Sequence, residues 1–253
     1  MPLDVVTVPC LSDNYAYLVN GPEGVILIDA PEAGPIEAEL DSRGWSLSTI
    51  LITHHHHDHV EGIAPLKARY GCTVIGPRAE AAKIDGLDQL VGGGDEFSVD
   101  GVGVHVIDVP GHTLGHVAFY MPQAEAVFTA DSLMALGCGR LFEGDAAMMW
   151  ASMQRLIALP PETTVYSGHE YTSGNARFAL TIEPQNAALK LRSDAIAKAR
   201  TEGRPTASCV LSEELATNPF LRPDSPAIRE TLAMTGADDV SVFAEIRARK
   251  DRF

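Results

Sequence analysis

The chain has 253 residues, 45% apolar and 21% charged, ordinary proportions for a globular protein that buries a core in one large or two unequal domains. Its 34 acidic and 19 basic side chains give a formal net charge of −15, which argues against nucleic acid or anionic membrane as a partner, since both need a basic surface. An acidic protein that handles an anionic small molecule has to gather its few cations in one place.

The opening "MPLDVVTVPCLSDNYAYLVN" carries no basic-plus-apolar leader pattern, and no apolar run approaches the roughly 20 residues that span a bilayer. A cytoplasmic monomer without membrane attachment is expected. Cys10, Cys72, Cys138 and Cys209 are scattered, with no C-x-x-C pair, so buried reduced thiols are expected rather than disulfides or a cysteine zinc site.

Up to about residue 170, short β-branched runs alternate with turn residues. Strands are predicted at 5–8, 15–19, 24–29, 49–53, 73–76, 102–109, 116–121, 126–131 and 163–168. Helices are predicted at 35–43, 64–70 and 145–159, the last with Asp145 as N-cap. Strands followed by mixed strands and helices suggest two sheets with helices packed outside. After residue 172 the β-branched runs stop. The segment 185–203 carries an apolar stripe through Ala188, Leu189, Leu191, Arg192, Ala195, Ile196 and Ala199, and 238–253 repeats the pattern with Val240, Phe243 and Ile246. The intervening 217–226 holds three prolines and reads as an ordered loop. The expected division is a catalytic domain over 1–172 and a helical domain over 173–253.

The stretch "ILITHHHHDHVEG" (50–62) places five histidines and an aspartate behind an apolar strand. A tag would sit at a terminus, and a strand end is where such proteins hold rigid loops for chemistry. Metal ligation is the reading that fits. In extended backbone, residues two apart share a face, so either His54 with His56 or His55 with His57 could serve one metal. Imidazole and carboxylate donors suit Zn, Fe or Mn.

His54-x-His56-x-Asp58-His59 resembles the signature of the metallo-β-lactamase superfamily, and "PGHTLGH", "FTADS" and "YSGHEYT" follow in the order of its other motifs. That resemblance implies an α+β fold, a four-layered αβ/βα sandwich, here with a C-terminal helical domain. It implies two divalent metals per chain, Zn2+ foremost, with Fe or Mn as alternatives. His54, His56 and His112 would hold the first and Asp58, His59 and His169 the second, with Asp131 shared. His55 and His57 would then be passengers, His116 a structural neighbour, and His105 a mid-strand residue without a role.

The flanks "GHEYTSGNARFA", "NPFLR" and "RARKDRF", with the layout of the whole chain, resemble the glyoxalase II (hydroxyacylglutathione hydrolase) family. This implies hydrolysis of S-(2-hydroxyacyl)glutathione thioesters such as S-D-lactoylglutathione, releasing glutathione and a 2-hydroxy acid, as in methylglyoxal detoxification. A hydroxide held by the metals would attack the thioester carbonyl, with Asp58 orienting it. Arg140, Tyr171, Arg247 and Lys250 match the family's glutathione-contacting positions, and Phe142 stands where many members have tyrosine. The competing readings are a mononuclear-iron persulfide dioxygenase and a lactonase of the same fold.

Overall fold

The β-branched runs become strands in the computed structural model, which describes residues 3–253. The first two residues of the expected catalytic domain lie outside it. The chain divides into two compact units, one comprising residues up to Asp108 with Gly115–Thr129, the other Val109–Leu114 with Ala130–Phe253.

In the first unit, β1 (Asp4–Cys10), β2 (Asn14–Asn20) and β3 (Val25–Ile28) form an antiparallel run. Helix α1 (Ala33–Arg43) then leads to β4 (Leu47–Leu51), parallel to β3. The short α2 (His57–Val60) and α3 (Ile63–Tyr70) lead to β5 (Thr73–Pro77), and β6 (Gln89–Val91) closes the six-stranded sheet in sequence order. Parallel neighbours need a crossover, and α1 and α3 supply it. Ile36 and Leu40 of α1 and Ile63 and Leu66 of α3 pack in one core with Val8, Leu18, Leu27, Ile50 and Val74 of the sheet. Residues on the opposite pleat, Tyr17, Val19, Ile26 and Ile28, are buried too. Burial on both faces is why these strands read as continuous apolar runs rather than alternating ones. Strands β7 (Glu96–Val99), β8 (Val102–Asp108), β9 (Val117–Met121) and β10 (Ala126–Ala130) form an antiparallel meander.

The second unit begins with a small hairpin, β11 (Leu133–Met134) and β12 (Gly137–Cys138), followed by α4 (Ala146–Ile157). Asp145 caps α4 as expected, accepting from the Met148 N–H at 2.8 Å. Next come β13 (Thr164–Ser167), α5 (Thr172–Ile182), α6 (Ala187–Thr201) and β14 (Ser208–Val210), which pairs antiparallel with β13. Helices α7 (Leu211–Thr217), α8 (Pro226–Leu232) and α9 (Asp239–Arg252) complete it. The two long predicted helices appear as α6 and α9, each with a side-chain cap, Asn186 on Leu189 N and Asp238 on Ser241 N. Ala188, Leu191 and Ala195 do not belong to the buried stripe of α6; all three are exposed, while Leu189, Arg192, Ile196 and Ala199 are buried. Helix α5 went unassigned, and the proline-rich loop contains a 3-10 turn at Pro219–Leu221 and the first residue of α8. Among the described residues no helix is long and apolar enough to cross a membrane.

All four cysteines are free thiols. Burial pushes Cys10 up to about 12 and Cys138 up to about 11, so neither supplies a thiolate near neutral pH.

A buried carboxylate organises the second unit. Glu214 of α7 is fully buried, takes the Leu136 N–H on both oxygens at 3.2 and 3.0 Å, and pairs with Arg192 of α6. It also accepts from Asn218 Nδ2 and Cys209 Sγ, each at 2.8 Å. Asn218 in turn donates to the carbonyls of Met134 and Gly137 at 3.2 and 3.0 Å. The hairpin is thus held by side chains from the C-terminal helices. Removing one partner leaves a buried charge uncompensated, so Glu214→Ala is expected to cost about 3–5 kcal/mol by chemical denaturation. A loss below about 1 kcal/mol, the scale of an exposed pair, would contradict that role.

Candidate metal centre

Within the first unit the histidine run changes conformation midway. His54 to His56 continue the extended chain beyond β4, with φ −62° and ψ 142° at His56, and α2 begins at His57. Alternation therefore turns His54 and His56 the same way, and the ring nitrogens His54 Nε2 and His56 Nδ1 lie 3.1 Å apart. The helical turn then redirects Asp58 and His59. His59 is fully buried, its ring centroid 4.2 Å from that of His54.

Other groups fix these rings. Asp29, at the end of β3, accepts from Thr53 N, Thr53 Oγ1 and His59 Nδ1, all at 2.8 Å. That turns His59 Nε2 away from Asp29, toward Asp58 Oδ2 at 3.8 Å. Thr53 Oγ1 lies 3.0 Å from His54 Nδ1, so His54 likewise presents Nε2. Buried Asn14 donates to Asp58 O at 3.1 Å and Asp58 Oδ2 at 3.0 Å, orienting that carboxylate. His116 stacks on His54, centroids 4.5 Å apart and planes at 12°. His57 faces solvent beside Glu61, and His105 on β8 pairs with Glu96 on the neighbouring β7.

Within the second unit, Asp131 Oδ2 lies 3.3 Å from His112 Nε2 and 3.3 Å from His169 Nε2. His112 Nδ1 donates to the Arg140 carbonyl at 2.9 Å, which directs Nε2 toward the carboxylate. Gly168 N donates to Ala130 O at 2.9 Å and so fixes the chain beside Asp131. A Cβ at Gly139 would overlap the Asp131 carbonyl, which explains a glycine in "GCGR". Asp29 and Ala130 both adopt left-handed φ, 55° and 40°, sparsely populated for residues with a Cβ.

These separations fit metal ligation. Donors about 2.1 Å from one cation lie about 3.0–3.4 Å from each other in octahedral or tetrahedral shells. The 3.1 and 3.3 Å spacings fall in that range, and the imidazole and carboxylate donors suit a divalent transition metal.

The expected substrate contacts also lie in the second unit. Tyr171 is exposed and stacks on His169, centroids 4.8 Å apart and planes at 9°. Phe142 is exposed, edge-on to His112 at 5.2 Å. Arg247 is only 4% exposed and donates to Cys138 O at 2.7 Å and Asp251 at 2.9 Å, so it braces the hairpin from within. Lys250 Nζ lies 3.5 Å from Gly174 O, above the rings of Phe178 and Phe253. Burial holds Lys250 below the usual lysine range, and the charges of Arg247, Arg177 and Arg140 lower it further.

Asp29, Asn14 and Arg177 escaped the reading of the sequence. Asp29 carried a usable signal, an aspartate at a predicted strand end. Arg177 carried another, since residues 173–181 contain no acidic side chain in a chain that has 34. Asn14 carried none.

A family model described as the metallo-beta-lactamase superfamily matches residues 11–169, and one described as the hydroxyacylglutathione hydrolase C-terminus matches 170–253. A hydroxyacylglutathione hydrolase from Ruegeria pomeroyi is 60% identical over 255 residues, covering all of both chains. Another from Brucella ovis is 53% identical over 253 residues, covering 99% of this chain and 98% of its own. Among solved structures, ETHE1 from Myxococcus xanthus is similar with a TM-score of 0.68 at 25% identity, covering 98% of this chain and 90% of that one. TTHA1623 in a di-iron-bound form gives 0.64 at 28% identity, covering 86% of this chain and 100% of that one. The fold class is the α+β sandwich of metallo-β-lactamases with a C-terminal helical domain. With both segments matched and full-length relatives above half identity, the chain belongs to the hydroxyacylglutathione hydrolase family of the metallo-β-lactamase superfamily.

Proposed function

We propose that the protein is a metal-dependent thioester hydrolase that converts S-(2-hydroxyacyl)glutathione, such as S-D-lactoylglutathione, to glutathione and a 2-hydroxy acid. One observation carries the substrate class: in a chain of net charge −15, three cations, Arg140, Arg177 and Arg247, gather around Lys250, against one acidic neighbour, Asp251. Glutathione carries two carboxylates, and this gathering meets that requirement. Its relatives of 52–60% identity, named for the same reaction, support the assignment.

The proposed ligands are His54, His56 and His112 for one divalent metal and Asp58, His59 and His169 for a second, with Asp131 shared. The equal spacing of Asp131 Oδ2 from His112 and His169 supports the shared role. Zn2+ suits the donors, as do Fe and Mn. When bound, such a pair supplies Lewis acidity and lowers the pKa of a bound water toward neutrality. Asp58, oriented by Asn14, aligns the attacking water with the thioester carbonyl. His59 and His112, each with Nδ1 committed to a fixed acceptor, keep their rings from turning as charge develops. Arg140, Tyr171, Arg177 and Lys250 hold the glutathione portion, with Arg247 adding charge from beneath. The departing thiolate, with a conjugate acid near the ordinary thiol pKa of about 8.5, leaves without a dedicated general acid. Residues 1–172 then serve as the catalytic part and 173–253 as the glutathione-binding part, working in a reducing cytoplasm that keeps the four thiols free.

Hydrolysis of S-D-lactoylglutathione by metal-loaded protein, followed by thioester loss and thiol release, tests the reading directly. Turnover is expected; none with metal bound would move the search to lactones and other thioesters. Asp131→Ala should lose metal and activity together, and two metals per chain in that variant would rule out the shared ligand. Arg177→Met should raise KM roughly tenfold, about 1.4 kcal/mol, with kcat little changed. An unchanged KM would remove Arg177 from the substrate contacts. Lys250 must be protonated to attract a carboxylate, and its pKa is lowered. Substrate affinity therefore declines as pH rises through a value below the usual lysine range. Lys250→Arg should carry the affinity to higher pH; identical KM profiles for the two proteins would exclude Lys250.

A further inference from the structure

Glu80 lies in the 3-10 turn Arg78–Lys83 that follows β5 and is only 2% exposed. Its Oε2 accepts from the His55 backbone N–H at 2.6 Å and lies 2.8 Å from His55 Nδ1. Its Oε1 accepts from the Gly115 N–H at 3.0 Å, within the segment "PGHTLGH". The approach is close, because a Cβ at Gly115 would overlap Glu80 Cγ. A carboxylate this deeply buried is costly unless its oxygens are occupied by well-placed donors. Here the donors come from the two stretches of chain that carry the histidine motifs.

We infer that Glu80 is a positioning residue for the metal centre and that His55 is the handle by which it grips the ligand loop. Residue 55 sits between two proposed ligands. Its main-chain N–H and its ring are tied to the same oxygen, which fixes both its backbone and its χ angles. In extended chain its neighbours then face the other way, and His54 Nε2 and His56 Nδ1 stay 3.1 Å apart. The same carboxylate holds Gly115, next to His116, whose ring stacks on His54. A loop held in this way meets a metal with its ligands already arranged, so less ordering is needed on binding. The inference rests on the metal-centre reading above.

The test is competition between apo protein and a chromophoric chelator for Zn2+, with the d–d spectrum of Co2+-loaded protein as a second readout. In Glu80→Gln, Zn2+ affinity should fall by about 10–100-fold, the range seen when groups that orient ligands are removed. The Co2+ bands should shift, while the apo melting temperature moves little. His55→Ala, which keeps the main-chain N–H, should show a smaller loss in the same direction. If Glu80→Gln does not fold, His55→Ala decides alone, and wild-type affinity in that folded variant would overturn the inference. Wild-type affinity in folded Glu80→Gln would overturn it too, whatever the melting temperature. A third equivalent of Zn2+ in wild type that disappears in Glu80→Gln would make Glu80 a ligand instead. Failure of the wild type itself to bind Zn2+ or Co2+ would overturn the metal centre, a result distinguishable from a failed clamp.

Discussion

Ring nitrogens and a carboxylate oxygen held 3.1–3.3 Å apart in a buried place call for a shared proton or a cation between them. Each unit of the chain holds such a set, and much of the surrounding structure can be understood as the means of holding it. Asp29, Thr53 and Asn14 restrain the first set, and the Arg140 carbonyl and the Gly168–Ala130 hydrogen bond restrain the second. At Asp29 and Ala130 the backbone itself takes up left-handed angles to aim these groups, at a cost of order 1–3 kcal/mol each. Metal binding to the folded form alone offsets such costs by mass action, so folding and metal loading are thermodynamically linked.

Charge follows the same logic at longer range. Most acidic side chains spread over the surface, and many basic ones are matched to them, as in Arg69 with Glu37 and Asp41 or Arg222 with Glu183. Around Lys250 the cations outnumber their partners, because Arg140, Arg177 and Arg247 act on it as like charges and Asp251, paired with Arg247, is the one opposing them. That concentration would be destabilising if nothing anionic arrived.

Strands β1 to β5 and β8 to β10 were legible as apolar, β-branched runs, α4 from its Asp145 cap, and α6 and α9 from their apolar stripes, whereas the short β6 and the half-exposed β7 escaped. The elements that escaped are short or irregular. Strands β11 and β12 have two residues each and exist because Glu214 and Asn218 hold them from far along the chain, which no local window can reveal. At the metal centre, spacing pointed to the histidines, and the choice among them came from the resemblance to a known signature. The groups that orient them were not legible, since Asn14 meets Asp58 and Glu80 meets His55 only through folding. Arg247 was legible as a cation, but its burial was not, because the same sequence suits an exposed helix end.

The anchoring of the β11–β12 hairpin bears on where such a chain divides. The two family models meet at residues 169 and 170, as though a catalytic module had simply acquired a tail. Yet Asn175, Glu214, Asn218 and Arg247, all beyond that line, satisfy the carbonyls and N–H groups of residues 134–138. Without the residues beyond that line, those backbone groups would need water or other partners. The boundary between the two family segments, at 169 and 170, and the boundaries of the two compact units, at 108, 114 and 129, lie in different places.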